Sequence, residues 1–162
     1  MERTILFRGI IKYPDDIFKG FWYGNLIIYA NGDTFIRQIE TGKEFEVITE
    51  TVGQFTGLTD NNGVKIFEGD LWIGSGLIMI AGIGENWDTI PEKDRKVYVV
   101  HFQKSLPCGF VAKLLSMYNN EDFIQGGFNR GDINNNCMDS YSFSNQAHTG
   151  IIIGNIHDKH VL

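Results

Sequence analysis

Hydrophobic and polar positions alternate over short runs along most of this chain, and turn-forming residues separate the runs. Phe21 to Ala30 is aromatic and branched, Asn31-Gly32-Asp33 is a turn signal, and Thr34 to Glu40 alternates apolar with polar side chains. A period of two on both sides of such a turn is typical of an antiparallel hairpin. Further strands are predicted at 45–48, 97–102 and 150–156.

A second hairpin is predicted within GQFTGLTDNNGVKIFEGD, residues 53–70. Asn62-Gly63 is the dipeptide that best tolerates the positive φ angles of a tight turn, so it joins strands at 52–58 and 64–67. Glu68-Gly69-Asp70 is another turn signal, placed before a strand at 71–73. The polar residues of both turns are interpreted as turn formers rather than ligands: Asp60, Asn61, Glu68 and Asp70.

Two later regions stay open at this point. Phe110, Leu114, Met117 and Tyr118 are spaced as on one face of a helix, but residues 109–113 fit a strand equally well. The stretch 119–149 is long, polar and rich in amides, and we expect a partly ordered surface excursion or mobile chain there.

The overall pattern predicts a mainly antiparallel β protein. A small N-terminal β region, residues 1–50, is followed by a second domain, residues 51–162, whose isolated last strand suggests closure into a small barrel. Ile151, Ile153 and Ile156 are expected to be largely buried, because a terminal strand is ordered only when it is tied into a sheet.

Composition agrees with a folded β protein of 162 residues. Hydrophobic residues make up 43% and charged residues 21%, which are ordinary globular values, while 13% aromatics and 19 glycines against 3 prolines favour strands and turns. The two cysteines, Cys108 and Cys137, are far apart and are interpreted as free thiols in a reducing compartment. The most apolar window, residues 71–83, is too short to cross a bilayer and no leader is recognised, so a soluble, cytoplasmic protein is expected.

Candidate metal sites are weak. With Gly63 at position 6 of a calcium loop, Leu58 and Gly69 fall where acids are needed, and in the run Asp132, Asn134, Asn136 a cysteine replaces the required glycine. His157 and His160 are three residues apart, and zinc would need two further ligands. The remaining candidates for those ligands are His101, His148, Cys108 and Cys137. Cys108 and His101 would form a thiolate pair only if the fold brings them together. We predict no catalytic, cofactor or metal residues.

Four segments of the chain resemble, in order, the motifs of the YopX family of phage and prophage proteins. Residues 53–70 keep most of the central motif, with Phe55 and Phe67 in place of tyrosines. The segments 5–9 and 22–26 are similar to its opening elements, and 153–156 with Leu162 to its end, although His157 and His160 depart from it. Residues 105–149 match little of the family. The central positions kept are Gly53, Gln54, Thr56, Gly57, Leu58, Asp60, Asn62, Gly63, Ile66, Glu68, Gly69 and Asp70.

The resemblance implies an SH3-like barrel for the C-terminal part and carries no established activity. Two functions are weighed. A formal charge of −6, with Lys93, Arg95 and Lys96 as the one basic cluster, argues against a nucleic-acid module. We therefore favour a non-catalytic protein-interaction or self-associating module, for which Phe21, Trp22 and Trp72 are candidate exposed anchors, although core packing is the more common fate of such rings.

Overall fold

A computed structural model describes residues 4–13, 20–73, 97–103, 109–114, 137–138 and 147–158. The described chain is mainly β, as predicted, and its strands form two antiparallel sheets. The strands are β1 (Phe7–Ile10), β2 (Phe21–Ile28), β3 (Thr34–Arg37), β4 (Glu44–Glu46), β5 (Gly53–Thr59), β6 (Lys65–Phe67), β7 (Asp70–Ile73), β8 (Val97–Gln103), β9 (Gly109–Leu114), β10 (Cys137–Met138) and β11 (Ile151–Asn155).

The chain divides into two compact units, Met1–Gly57 and Leu58–Leu162, called here the N-terminal and the C-terminal unit. Each is described by itself. The predicted domain limits, 1–50 and 51–162, stay a prediction.

The N-terminal unit is built from strands in the order β4-β3-β2-β1-β5. The predicted hairpin is present: β2 pairs with β3 in the register Leu26 to Ile36, and the backbone N–H of Tyr29 donates to Asp33 O at 2.9 Å across the turn. One isolated antiparallel bridge, Ile11 to Val47, links the residue after β1 to the residue after β4. Ile36, Val47 and Ile11 are buried, so the core of this unit lies where these strands meet.

The C-terminal unit contains a five-stranded sheet in the order β10-β9-β8-β7-β11. Trp72 of β7 and Tyr98 of β8 are fully buried and lie opposite each other in the ladder, with ring centroids 5.9 Å apart. Burying two such rings removes a large apolar area from water, which is the main stabilising contribution to a small domain. The core cluster comprises Ile66, Trp72, Tyr98, Val100, Ala112 and Ala147.

The ambiguous run after residue 108 is a strand over its first part. β9 pairs antiparallel with β8 from Gln103–Gly109 to Tyr98–Leu114, so ladder hydrogen bonds outweigh the weak helical spacing. Met117, Tyr118 and most of the stretch 119–149 lie outside the described residues. The pairings among the described residues close neither sheet into a barrel, and the SH3-like barrel stays a prediction.

One of the burial predictions for the last strand is wrong. β11 pairs with β7, but the register shifts between Ile152 and Gly154, so Ile153 is the extra residue of a β-bulge. Ile153 is therefore 40% exposed, and the prediction that it is largely buried was wrong. Ile151 and Ile156 are half-buried, and Ile152 packs against the core cluster instead.

Within the described part of the chain, no helix has the length and apolar character needed to span a bilayer.

Candidate functional site

The Asp60 carboxylate organises the turn between β5 and β6. Its Oδ1 accepts hydrogen bonds from the backbone N–H groups of Asn62 and Val64, both at 2.8 Å. This is the local side-chain bonding that makes aspartate a turn former, and Gly63 has the positive φ of +77° that the turn requires. The predictions of a tight turn at Asn62-Gly63 and of a turn-forming Asp60 are confirmed.

The same carboxylate also reaches the far end of the chain. Asp60 Oδ2 accepts a hydrogen bond at 3.0 Å from the backbone N–H of Ile152, 92 residues away, and Asn61 N–H donates to Gly150 O at 2.8 Å. Asp60 is only 4% exposed. A buried carboxylate is costly unless its oxygens are hydrogen-bonded, and here both of them are.

The turn at Glu68-Gly69-Asp70 forms a second connection to the C-terminal strand. Asp70 is 1% exposed; its Oδ2 accepts from Phe67 N–H at 2.8 Å, and its Oδ1 lies 3.4 Å from the donor Nδ2 of Asn155. Gly69 N–H donates to Val100 O at 2.8 Å, while Gly69 O accepts from Ile156 N–H at 2.9 Å. The turn thus lies between β8 and the residue that follows β11.

Gly69 is required at that position for two reasons. Its φ is +80°, a conformation that side chains disfavour, and an added Cβ would lie 3.0 Å from Asn155 Nδ2. Beside it, Glu68 Oε1 accepts from Phe102 N–H at 3.1 Å. We call Asp60, Gly69, Asp70 and Asn155 the signature cluster, since each either lies in the motif 53–70 or receives its contacts.

The N-terminal unit presents a different kind of surface. Among the described residues nine large hydrophobic side chains are exposed, and seven of them belong to this unit. Tyr23 lies on β2, Ile28 ends β2 at 65% exposure, and Tyr29 follows it. Tyr23 and Tyr29 are an even number of residues apart and lie on one face of the sheet, whereas Ile28 points to the other face. We call Tyr23 and Tyr29 the β2 surface.

A polar network fixes one end of that surface. Tyr29 OH donates to Glu44 Oε2 at 3.1 Å, and the Arg37 guanidinium donates to Glu44 Oε1, with Nε at 2.7 Å. Hydrogen bonds from Arg37, and then from Tyr29, lower the pKa of Glu44, and the bond to Glu44 raises the pKa of Tyr29. The Tyr29 ring packs edge-on against Phe35 at 5.3 Å, so the phenol is held at both ends.

A shallow cleft of about 260 Å³ also opens on the N-terminal unit. Asp33, Glu46 and Glu50 contribute carboxylates to its lining, and Lys12 is paired with Glu46. A hydrogen bond from Lys12 to Glu46 raises the pKa of Lys12. Thr34 and Thr49 complete the polar wall through a hydroxyl–hydroxyl hydrogen bond of 2.9 Å.

A model of the family described as YopX protein matches residues 6–162. The chain belongs to the YopX family. No match was found among curated proteins or among solved structures.

The geometry shows what the central YopX motif does in this chain. Asp60, Glu68 and Asp70 each accept a backbone N–H group, and Asp70 also reaches Asn155 of the end motif 153–156, while Asp60 reaches Ile152 directly before it. The two motif segments therefore meet in space, although some eighty residues separate them. The sequence of either segment alone does not predict this contact.

Three of the other candidate metal or catalytic residues lie within the described ranges, each on a different element. His101 is half-buried on β8, His148 is exposed, and the backbone N–H of His157 donates to Asn155 Oδ1 at 2.9 Å. Over the described ranges no three histidine, cysteine, aspartate or glutamate side chains are grouped so as to hold a metal. Outside the described residues lie His160, Cys108, Lys93, Arg95, Lys96, Asp132, Asn134 and Asn136, and of Cys137 only the backbone is described.

The candidate anchors have separate fates. Trp72 is fully buried in the C-terminal core, whereas Trp22 is half-buried against Phe45, with ring centroids 4.4 Å apart. Phe21 is half-buried beneath the Arg8 guanidinium, which lies 4.3 Å from its centroid. Tyr13, Tyr23 and Tyr29 are the exposed aromatic rings among the described residues. The signal that could have found Tyr29 is its place next to the hairpin turn.

Proposed function

We propose that this YopX-family protein is a non-catalytic protein-interaction module, encoded by a phage or prophage and acting in the cytoplasm of the bacterial host. It binds a protein partner or a second copy through the β2 surface of its N-terminal unit. The supporting observation is that seven of the nine large hydrophobic side chains that are exposed among the described residues belong to this unit, and that two of them, Tyr23 and Tyr29, share one face of its sheet.

Tyrosine suits such a role physically. A phenol ring buries a large area on contact, retains a polar group for hydrogen bonding and loses little conformational entropy, so tyrosines are enriched at protein interfaces. Tyr29 is already ordered by Glu44 and Phe35, which reduces the entropy that binding must remove. Tyr23, on the same face of the sheet, is 47% exposed, and covering it would remove apolar surface from water.

The charge of the chain supports a protein partner over a nucleic acid. Affinity for phosphate backbones rests on lysine and arginine side chains that neutralise phosphates. The formal charge here is −6, and Arg37 and Lys12 of the N-terminal unit are each paired with a glutamate.

The test uses the full chain and a matched pair of variants. Tyr23→Ser with Tyr29→Ser removes both rings of the β2 surface, and Val64→Ser removes an exposed apolar side chain, 49% accessible, from the other unit. Light scattering across a concentration series, and capture from bacterial lysate, are measured for each. We expect a dimer or a captured protein that the double variant loses and Val64→Ser keeps.

Two results would overturn the proposal. One is association that the double variant retains in full. The other is binding of labelled DNA that is tighter than the non-specific range of roughly 10⁻⁴ to 10⁻⁶ M and falls steeply with salt, since that would make a nucleic-acid module the better account.

A further inference from the structure

The turn between β2 and β3 is built around an Asn-Gly pair, Asn31-Gly32. Gly32 N–H donates to Tyr29 O and Tyr29 N–H donates to Asp33 O, both at 2.9 Å, and Gly32 has a φ of +91°. This is a short hairpin loop with glycine at the bulge position. Asn31, Gly32 and Asp33 are all exposed.

The turn between β5 and β6 has the same backbone geometry around Asn62-Gly63. Gly63 N–H donates to Asp60 O at 3.0 Å, Asp60 N–H donates to Val64 O at 2.9 Å, and the φ of Gly63 is +77°. Asn62 is exposed, as Asn31 is. The two turns are therefore a matched pair, and they differ in what surrounds the asparagine side chain.

The Asn31 amide is held by Asp33 at both of its polar atoms. Asn31 Oδ1 accepts from the backbone N–H of Asp33 at 3.1 Å, and Asn31 Nδ2 donates to Asp33 Oδ2 at 2.7 Å. In the other turn the corresponding N–H, that of Val64, donates to the Asp60 carboxylate at 2.8 Å, and valine has no carboxylate to offer. The Asn62 amide therefore has neither of these two contacts within its turn.

The contacts of Asn31 match the needs of an intramolecular acyl transfer. Attack of the Gly32 backbone nitrogen on Asn31 Cγ forms a C–N bond and places negative charge on Oδ1, to which the Asp33 N–H donates. The Asp33 carboxylate takes the proton that the Gly32 nitrogen loses and passes it to Nδ2, which it already contacts. The Cγ–Nδ2 bond then breaks and ammonia leaves. The succinimide that remains is opened by water to aspartate or isoaspartate.

The backbone requirements of this reaction are the same in both turns. Each glycine N–H must leave a carbonyl acceptor before its nitrogen attacks, Tyr29 O in one turn and Asp60 O in the other. Neither glycine carries a side chain that hinders the approach. A difference in rate between the two asparagines therefore reports the surroundings of the amide.

We propose that Asn31 is a site of self-catalysed deamidation, in which Asp33 supplies the oxyanion donor and the proton relay, and that it reacts faster than Asn62. The product carries a new negative charge and, as isoaspartate, one more backbone carbon. The bond from Asn31 Nδ2 to Asp33 is then replaced by repulsion between two carboxylates, at the end of the hairpin where Tyr29 lies. The reaction does not depend on partner binding by the β2 surface.

The test follows both asparagines in the same molecule. The folded full chain is kept at neutral pH and digested at intervals, and mass spectrometry with chromatographic separation of isoaspartate measures the conversion at positions 31 and 62. Asp33→Asn is the matched variant: its side-chain oxygen can still accept from Nδ2 and its backbone N–H remains, but it cannot relay a proton. A second series in urea removes the contacts of both turns.

We expect Asn31 in the folded protein to convert at least about tenfold faster than Asn62, below the roughly 10²–10⁴ of general acid–base catalysis because Asp33 is exposed. The ratio should fall several-fold in Asp33→Asn and approach one in urea. Isoaspartate should be part of the product, because opening of the ring produces it. Equal rates or a slower Asn31 in the folded protein would overturn the proposal, as would a ratio that Asp33→Asn leaves unchanged.

Discussion

The two units of this chain differ in which aromatic and acidic side chains they bury. In the C-terminal unit Trp72 and Tyr98 are completely buried, and two carboxylates lie inside with them. In the N-terminal unit Trp22 is half-buried, and Tyr23 and Tyr29 are exposed. Burial of aromatic side chains thus contributes more to the stability of the C-terminal unit than to that of the N-terminal unit.

The acidic residues differ in the same way. Asp60 and Asp70 accept backbone N–H groups in the interior, where an unsatisfied partner costs about 1–3 kcal/mol. Glu44 and Glu46 form ion pairs on the surface, and such pairs contribute little because water and salt screen them. The family motif therefore lies where polar groups matter most for folding.

The largest predicted effect is that of deleting residues 150–162. β11 would be lost, Asp60 and Asp70 would each lose a donor, and Trp72 would lose part of its cover. We expect insoluble protein or a C-terminal unit without cooperative unfolding, measured by circular dichroism and thermal scans. A truncated chain with the thermal stability of the full chain would contradict the claim that the C-terminal unit needs its last strand to fold.

Paired tryptophan substitutions come next. Trp72→Ala should lower the free energy of unfolding by about 3–5 kcal/mol, because it opens a cavity in a closed core and removes the donor to Ala147 O. Trp22→Ala removes a half-buried ring and should cost about 1–2 kcal/mol. Urea titrations measure the free energy of unfolding of both variants. Equal losses would contradict the claim that aromatic burial differs between the two units.

Asp60→Asn separates the turn from the long-range contact. The side-chain oxygen of asparagine can still accept from Asn62 and Val64, but its NH₂ group would face the Ile152 N–H, so one buried donor loses its acceptor. We expect a loss of about 1–3 kcal/mol in chemical denaturation. The control is Asp33→Asn at an exposed turn of the N-terminal unit, which should stay within about 0.5 kcal/mol.

Gly63→Val tests the turn itself. An added Cβ at Gly63 would meet nothing within 4 Å, so the main cost comes from forcing a branched residue to a φ near +77°. A loss of at least about 1 kcal/mol is expected. A variant as stable as the unchanged chain in the same titration would show that this turn relaxes without strain.

Glu44→Gln should have the smallest effect, and it should depend on pH. Because its pKa in the folded chain is below the ordinary 4.5, Glu44 stabilises the fold above that value, and the contribution is lost as pH falls through the folded pKa. The melting temperatures of the variant and the unchanged protein should differ slightly at neutral pH and converge in acid. A difference in melting temperature that grows as the pH falls would contradict this prediction.

Local turn chemistry made much of this fold predictable. Asn31-Gly32-Asp33, Asn62-Gly63 and Glu68-Gly69-Asp70 were each located from sequence, because glycine and amide residues determine a turn without help from the rest of the chain. The mainly β class followed from them. The short run at 109–114 could not be assigned, since six residues fit either period and only pairing with β8 decides.

The remaining features are non-local. Ile153 was expected to be buried, and it is exposed because a bulge, set by how β11 meets β7, interrupts the alternation. The hydrogen bond between Asp60 and Ile152 joins positions 92 residues apart, and turn propensities cannot predict such a contact. The exposure of Ile28 and Tyr29 likewise depends on which neighbouring strands cover the hairpin.

The central claim is that the acidic motif residues hold the C-terminal strand in place, and amide hydrogen exchange by NMR tests it most directly. The N–H groups of Ile152 and Ile156 should be protected to a degree comparable with Val100 of the core sheet, and Asp60→Asn should release Ile152 selectively. Exchange of the Ile152 amide in the unchanged protein as fast as that of an exposed turn residue would contradict the account.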